Sequence, residues 1–330
     1  MASTYRGQPV RLALTEAMGP EAKRASDVGC LPSNNPHRPR RESRPPGTES
    51  VAGGFKGTDS MTSQTGANYA KPIAPYLGGK RNLAKRICAI IDGHDHVTYA
   101  EPFVGMGGIF LRRRRAARSE FINDWNKEVY NLFRILQEHY VAFLDMLRFQ
   151  ITSQANFNRL CDVDPDTLTD LQRAARFLYL QRTGFGGKVS GRSFGLATDR
   201  PSRLNLTTLE PDLEALHERL AGVTVTSLDF EAFIARIDRK SVFFYLDPPY
   251  WGGETDYGKG AFSRDRFADM AQTLRGIKGA FLLSINDVPE IRELFDWAHI
   301  APVSTTYSVA KGAAQPGRAE LLIGNFDFQT

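Results

Sequence analysis

Past about residue 69 the chain alternates between two kinds of apolar spacing. Residues 83–91 place Leu83, Ile87, Ile90 and Ile91 at helical intervals, and residues 127–149 carry a longer amphipathic stripe. Residues 230–237 and 267–277 read as further helices, and residues 108–118 as a helix that follows a glycine-rich turn. Between these lie apolar runs of strand length, at 97–100, 120–124, 223–227, 241–246 and 280–284. Strands that alternate with helices predict a parallel sheet with helices on its faces, an α/β fold. No internal repeat interrupts the pattern.

The first 67 residues lack it. Residues 32–47 are rich in Pro, Ser, Asn and Arg, and Gly, Ser and Thr follow. Such a segment buries too little apolar surface to offset chain entropy and is expected to be disordered. It reads as a basic arm that touches phosphates, as an inert tail, or as an extension upstream of a start at Met61. The net charge of +5 is concentrated here, because residues 1–60 hold nine Lys/Arg against six Asp/Glu. A nucleic-acid partner must therefore be argued from local clusters and chemistry. The three cysteines are far apart, which argues against a disulfide framework or zinc cluster and fits a reducing cytoplasm. The six histidines form no ligand set, and no metal is expected. No apolar run approaches the ~18 residues of a membrane span, and no secretory signal opens the chain.

The most informative segment closes the run 241–246. A buried strand ends in Asp247, Pro248, Pro249 and Tyr250. Open α/β sheets bind ligands at the carboxyl ends of their strands, and two prolines stiffen the turn and hold its carbonyls in place. The group suits an amino nitrogen conjugated to an aromatic ring, a poor nucleophile because its lone pair is delocalised. The Asp247 carboxylate and the Pro248 carbonyl can accept its two N–H bonds and favour the pyramidal geometry. Tyr250 can stack on the ring and hold it for in-line attack. An ordinary strand-to-turn corner is the plainer account of the four residues taken alone.

Upstream, residues 99–108 run from the first strand into a turn with Glu101, Phe103, Gly105 and Gly107, where glycine lets the backbone approach a ligand closely. Asp124 ends the next strand about 20 residues later, placed to accept ribose hydroxyls or simply to cap the following helix. Asp229, after the strand at 223–227, could likewise merely cap the helix that follows. Tyr76 and the run Gly78-Gly79-Lys80 precede the glycine turn, with Lys80 21 residues before Glu101.

Taken in order, these segments resemble the Dam-type, α-group (D12 class) DNA adenine-N6 methyltransferases, including versions carried by phages and prophages. Pro75-Tyr76-Leu77-Gly78-Gly79-Lys80 resembles motif X, Phe103-Val104-Gly105-Met106-Gly107 motif I, and Asp247-Pro248-Pro249-Tyr250 motif IV. The resemblance covers roughly residues 70–330. It implies a Rossmann-like sheet that binds S-adenosylmethionine, with Tyr76, Lys80, Glu101, Phe103, Gly105, Gly107, Asp124, Asp229 and Asp247 around the cofactor. Tyr76 would cover the cofactor, and Lys80 would meet its carboxylate or close over the site. Asp247, Pro248, Pro249 and Tyr250 would carry catalysis on an adenine flipped out of double-stranded DNA.

The 146 residues between Glu101 and Asp247 exceed what bare βα units need. The methyltransferase domain is therefore expected in two parts, 68–147 and 216–330, around an inserted, mainly helical target-recognition domain at 148–215. Within the insertion, residues 177–188 are similar to the family's Asn-Arg-Thr-x-Phe-Asn-Gly segment, with Gln181 and Gly186 where asparagines are common. Arg182, Lys188, Arg192, Arg200 and Arg203 supply positive charge suited to phosphates, or a solvated basic loop. Ser284 is expected beside the target base, and a terminal hairpin is expected from 307–311 and 318–323. A monomer is expected. The rival activities are cytosine-N4 methylation, which more often has Ser at the Asp247 position, and methylation of RNA or a protein amide, which more often has Asn. A non-catalytic DNA-binding relative is the rival outside enzymes.

Overall fold

In the strand Val242–Leu246 every residue is buried, and this apolar run is the centre of the sheet. The computed structural model describes residues 70–196, 198–199, 201–254, 262–304 and 319–328. The expectations for the first 67 residues, for Arg200 and for 307–311 lie outside the described residues.

The elements in chain order are α1 (Ala84–Gly93), β1 (Thr98–Glu101), β2 (Ser119–Asn123), α2 (Lys127–Glu138), α3 (Tyr140–Arg148), α4 (Gln154–Asp162), α5 (Asp170–Thr183), α6 (Leu206–Leu220), β3 (Thr224–Thr226), α7 (Phe230–Ile237), β4 (Val242–Leu246), α8 (Asp265–Gly276), β5 (Ala280–Asn286), α9 (Pro289–Leu294), β6 (His299–Ser304) and β7 (Ala319–Gly324). The sheet order is β3-β2-β1-β4-β5-β7-β6. The first five strands of that order are parallel, and β7 runs antiparallel to both neighbours. The two-residue period of a strand sorts the core into two layers. Tyr99, Phe243 and Tyr245 face the layer of α1, α2, α3, α5 and α6. Ala100, Phe244 and Leu246 face that of α7, α8 and α9. This is the expected α/β sheet covered on both faces.

Two elements differ from the sequence reading, each for a tertiary reason. The stripe at 127–149 is two helices, broken at His139 with φ −135° and ψ 34°. His217 of α6 donates from Nδ1 to the Leu136 carbonyl at 2.7 Å, an acceptor that a continuous helix would offer to the Tyr140 N–H. Tyr140 stacks on the same imidazole, with ring centres 4.8 Å apart. The helix expected at 108–118 is only a 3₁₀ turn, Phe110–Arg112. Its chain extends at Arg113, whose side chain turns into the core, 2.8 Å from Glu120 and over the Tyr99 ring at 3.7 Å. Among the described residues β7 also pairs antiparallel with β6, at 299–304.

The helices of the expected insertion, 148–215, pack with α2 and α3 in the same apolar layer as α1. Among the described residues no helix is long and apolar enough to cross a membrane. No group of three or more His, Cys, Asp or Glu among them is placed to hold a metal ion.

Glu120 also takes Arg219 of α6, at 2.6 Å, so one buried carboxylate pairs with two guanidinium groups. Replacing Glu120 with Ala strands Arg113, whose side chain is 1% exposed. The expected cost is about 3–5 kcal/mol. A thermal melt should show Tm lowered by roughly 10 °C; a shift below about 2 °C would show that the two arginines do not depend on this carboxylate.

Candidate active site

The direction of strand succession reverses between β1 and β4, and a crevice opens there, outside the carboxyl ends of the strands. Glu101 ends β1, Asp124 follows β2 and Asp247 follows β4. The turn after β1 is held by backbone and side-chain bonds. Gly105 N–H donates to Asp124 Oδ2 at 2.8 Å, and Asn123 Nδ2 donates to the Pro102 carbonyl at 3.0 Å. Gly105 has φ +50° and Gly107 φ +72°, where a side chain is strained. A Cβ on Gly105 would also lie 3.0 Å from the Tyr76 ring, so the ring rests directly on this turn.

The crevice is a cleft of about 920 Å³, a size that suits a ligand of nucleoside dimensions. Tyr76, Lys80, Glu101, Phe103, Gly105, Asp124 and Asp247 all line it, as do Pro249, Arg182 and Arg203. Gly107 does not line it and instead shapes the turn, packing on Leu111. Asp229 lies aside. It caps α7 by accepting from Glu231 N–H at 3.0 Å and pairs with Arg266. It lines a neighbouring cavity of about 130 Å³ that shares Phe103, Trp125 and Phe262 with the main cleft.

At the end of β4 the polar groups bond one another. Lys80, 2% exposed, places Nζ 2.8 Å from Asp247 Oδ1 and donates to the Tyr250 hydroxyl at 2.7 Å. The Tyr250 hydroxyl donates to Glu320 Oε1 at 2.6 Å. Ser284 Oγ donates to Asp247 Oδ1 at 3.3 Å and meets the Tyr245 hydroxyl at 2.8 Å. The Lys80 ammonium, expected at a cofactor carboxylate or over the cleft, is thus held on a carboxylate of the protein. Burial pushes the Asp247 carboxyl up to about 6; the nearby Glu320 adds to the rise and Lys80 opposes it. Burial also raises Asp124 to about 6, against the Asn126 and Gly105 N–H bonds. Glu101 is driven well above the usual carboxylate range by burial, although the Tyr99 hydroxyl donates to it at 3.0 Å.

The residues expected at DNA divide into two kinds. Arg182 donates from Nε to the Arg203 carbonyl at 2.7 Å and from its terminal nitrogens to the Ile73 and Arg203 carbonyls. Arg192 donates to Gln181 Oε1 and, at 3.2 Å, to the Lys188 carbonyl. Both guanidinium groups therefore hold the 181–203 segment in shape. Lys188 and Arg203 are exposed. Gln181 is buried and donates to the Pro75 and Gly187 carbonyls, and the Gly187 carbonyl accepts from Leu77 N–H at 3.1 Å.

Two site residues escaped the sequence reading. Asn123 bonds Pro102, Thr226 and Leu228 and ties the glycine turn to the turn after β3. Glu320 is a fully buried acid in an otherwise apolar strand. That misplaced charge was the available signal for it.

Comparison with known proteins decides the family. Residues 76–309 match the model of the D12 class N6 adenine-specific DNA methyltransferases. The chain belongs to this family. It is 26% identical over 228 residues to the type II methyltransferase M.CviBI of Paramecium bursaria Chlorella virus NC1A, covering 68% of this chain and 86% of that protein. It is 26% identical over 278 residues to the type II methyltransferase M1.LlaDCHI of Lactococcus lactis subsp. cremoris, covering 78% of this chain and 95% of that protein. A DNA N-6-adenine-methyltransferase of Escherichia phage P1 is 27% identical over 248 residues, 69% of this chain and 31% of that protein.

A D12 methyltransferase uses S-adenosylmethionine, which carries a sulfonium and an ammonium. A cation in the cleft favours the ionised forms of Asp124 and Asp247, both held near 6. Below that pH these groups are protonated and binding must expel protons; above it they are already charged. Affinity should therefore rise from pH 5 to 7.5, by roughly tenfold. Titration calorimetry at pH 5.5 in two buffers of different ionisation enthalpy should register proton release. Proton uptake, or an affinity that is flat with pH, would contradict the assignment.

Proposed function

We propose that Asp247, Pro248 and Tyr250 receive the target adenine and direct its N6 at the methyl donor, on double-stranded DNA and with the enzyme acting as a monomer. One observation supports this reading above the others: Asp247 Oδ1 already holds a nitrogen cation, the Lys80 ammonium, at the switch point of the sheet. An acceptor that holds a charged nitrogen at rest suits an amine that gains positive charge as it reacts.

The cleft fits S-adenosylmethionine. The Tyr76 ring packs on the turn at Gly105 and lines the cleft beside it, so it would form an aromatic wall against the bound ligand. Asp124, anchored by two backbone N–H groups, would take the ribose hydroxyls. Phe103, Trp125 and Phe262 lead from the main cleft to the small cavity at Asp229 and would hold the adenine ring of the cofactor. Glu101, which lines the cleft, would face its cationic end. When bound, the group supplies a methyl on sulfonium and departs as neutral S-adenosylhomocysteine.

The protein then orients one lone pair. The Asp247 carboxylate and the Pro248 carbonyl accept the two N6 hydrogens, which draws the nitrogen out of conjugation. Tyr250 is held by its hydroxyl, between Lys80 and Glu320, so its ring is fixed as a stacking surface. As the N–C bond forms the nitrogen sheds a proton. Asp247, near 6, is a stronger base than an ordinary aspartate and can take it. Extrusion of the base from the duplex is required, because N6 is otherwise paired and out of reach. Residues 148–215 are the part that engages DNA, with Lys188 and Arg203 on phosphates.

Labelled S-adenosylmethionine with unmethylated duplex DNA should yield N6-methyladenine. Asp247→Asn should lower kcat by about 10³-fold with the melting curve retained. Label in N4-methylcytosine would keep the geometry and change the substrate; label in no nucleoside would sink the reading. Lys188→Ala and Arg203→Ala should each flatten the salt dependence of duplex binding by about one unit of slope. An unchanged slope for both would remove residues 148–215 from the interface.

A further inference from the structure

Glu320 lies beyond the residues that match the family model, 76–309, yet it sits in the heart of the site. It is fully buried, in the strand Ala319–Gly324, whose other central residues are apolar. A buried carboxylate in such a strand is costly unless it holds partners. Among its partners are the Tyr250 hydroxyl at 2.6 Å and the Lys80 ammonium, 3.7 Å from Oε2. Lys80 stands closer to Asp247, at 2.8 Å.

Two carboxylates thus share one ammonium, and that ammonium already takes up the charge of the carboxylate the target amine needs. Lys80 and Ser284 both bond Oδ1, which leaves Oδ2 for the amine, but the nitrogen gains positive charge as it reacts and then competes with Lys80 for one negative charge. Lys80 is nearly inaccessible to water, so it cannot leave Asp247 without another counter-charge close by. Glu320 is already within 4 Å, and unlike Asp247 it is not among the residues that line the cleft. We propose that Glu320 is a positioning residue for methyl transfer: it takes the Lys80 ammonium when the target amino group takes Asp247. A shift of about an ångström by a lysine end group suffices, and the carboxylate also keeps its bond to Tyr250. The inference rests on the reading of Asp247 as the acceptor of N6.

The test is the single-turnover rate of methyl transfer with S-adenosylmethionine and duplex DNA both bound. Glu320→Gln keeps the shape and a hydrogen-bonding oxygen for Tyr250 and removes the charge. The rate should fall by about 100-fold, with the affinities for S-adenosylmethionine and DNA within threefold of the parent. Glu320→Asp should restore at least tenfold of the loss. In a Lys80→Met background, where there is no ammonium to move, Glu320→Gln should cost less than threefold. A 100-fold loss that persists in that background would show that Glu320 only supports Tyr250 or the strand, and would overturn the proposal. So would a Glu320→Gln enzyme with the parent rate. If Lys80→Met does not fold, the Tyr250→Phe background decides: a full Glu320→Gln loss there supports the proposal, and a vanished loss overturns it. The underlying reading fails separately. Asp247→Asn with the parent rate would remove both, whereas an inactive Asp247→Asn beside a fully active Glu320→Gln removes this inference alone.

Discussion

The buried Lys80 ammonium is the constraint on which the site depends. It ties together the segment before α1, the turn after β4 and the last strand, β7, through Asp247, Tyr250 and Glu320. A charge so deep must be matched nearby, and matching it brings two acids and a phenol to one point. The sheet order makes this possible. β4 and β7 each flank β5, so the turn after β4 and the body of β7 meet across one strand. The same arrangement raises Asp247 to about 6, because burial and Glu320 together outweigh the pull of Lys80.

Much of this arrangement was legible in the sequence where it follows from local rules. The apolar run at 242–246 could only be a buried strand, and an acid with two prolines at its end marks the sheet's ligand-binding edge. Gly105 and Gly107 stood where the turn needs positive φ, and they have it. What escaped is set by partners distant in sequence. His217 ends α2 from 81 residues away. Arg113 leaves its row of arginines because Glu120 is in the core, while Arg112 keeps to the cleft wall. Arg182 and Arg192 read as phosphate ligands because charge shows in a sequence, whereas the carbonyls they bond do not. Glu320 lay in plain view as an acid among apolar residues, but its meaning depended on Lys80, 240 residues earlier.

The seam between the 181–195 segment and the start of the methyltransferase fold bears on how recognition reaches chemistry. Gly187 packs so closely on Pro75 and Tyr76 that a Cβ would lie 2.9 Å from their backbone atoms, and it has φ +70°. Its carbonyl accepts from both Leu77 and Gln181, and Gln181 bonds the Pro75 carbonyl in addition. Lys188 is the next residue along, and Tyr76 and Lys80 lie on the other side of the seam. The backbone that carries Lys188, proposed above for a phosphate, is therefore joined to the backbone that carries Tyr76 by a few direct hydrogen bonds. A shift of the backbone at 187–188 is passed through this seam to the ring that rests on Gly105, and in the proposed function this is the route by which a contact at residues 148–215 reaches the cleft.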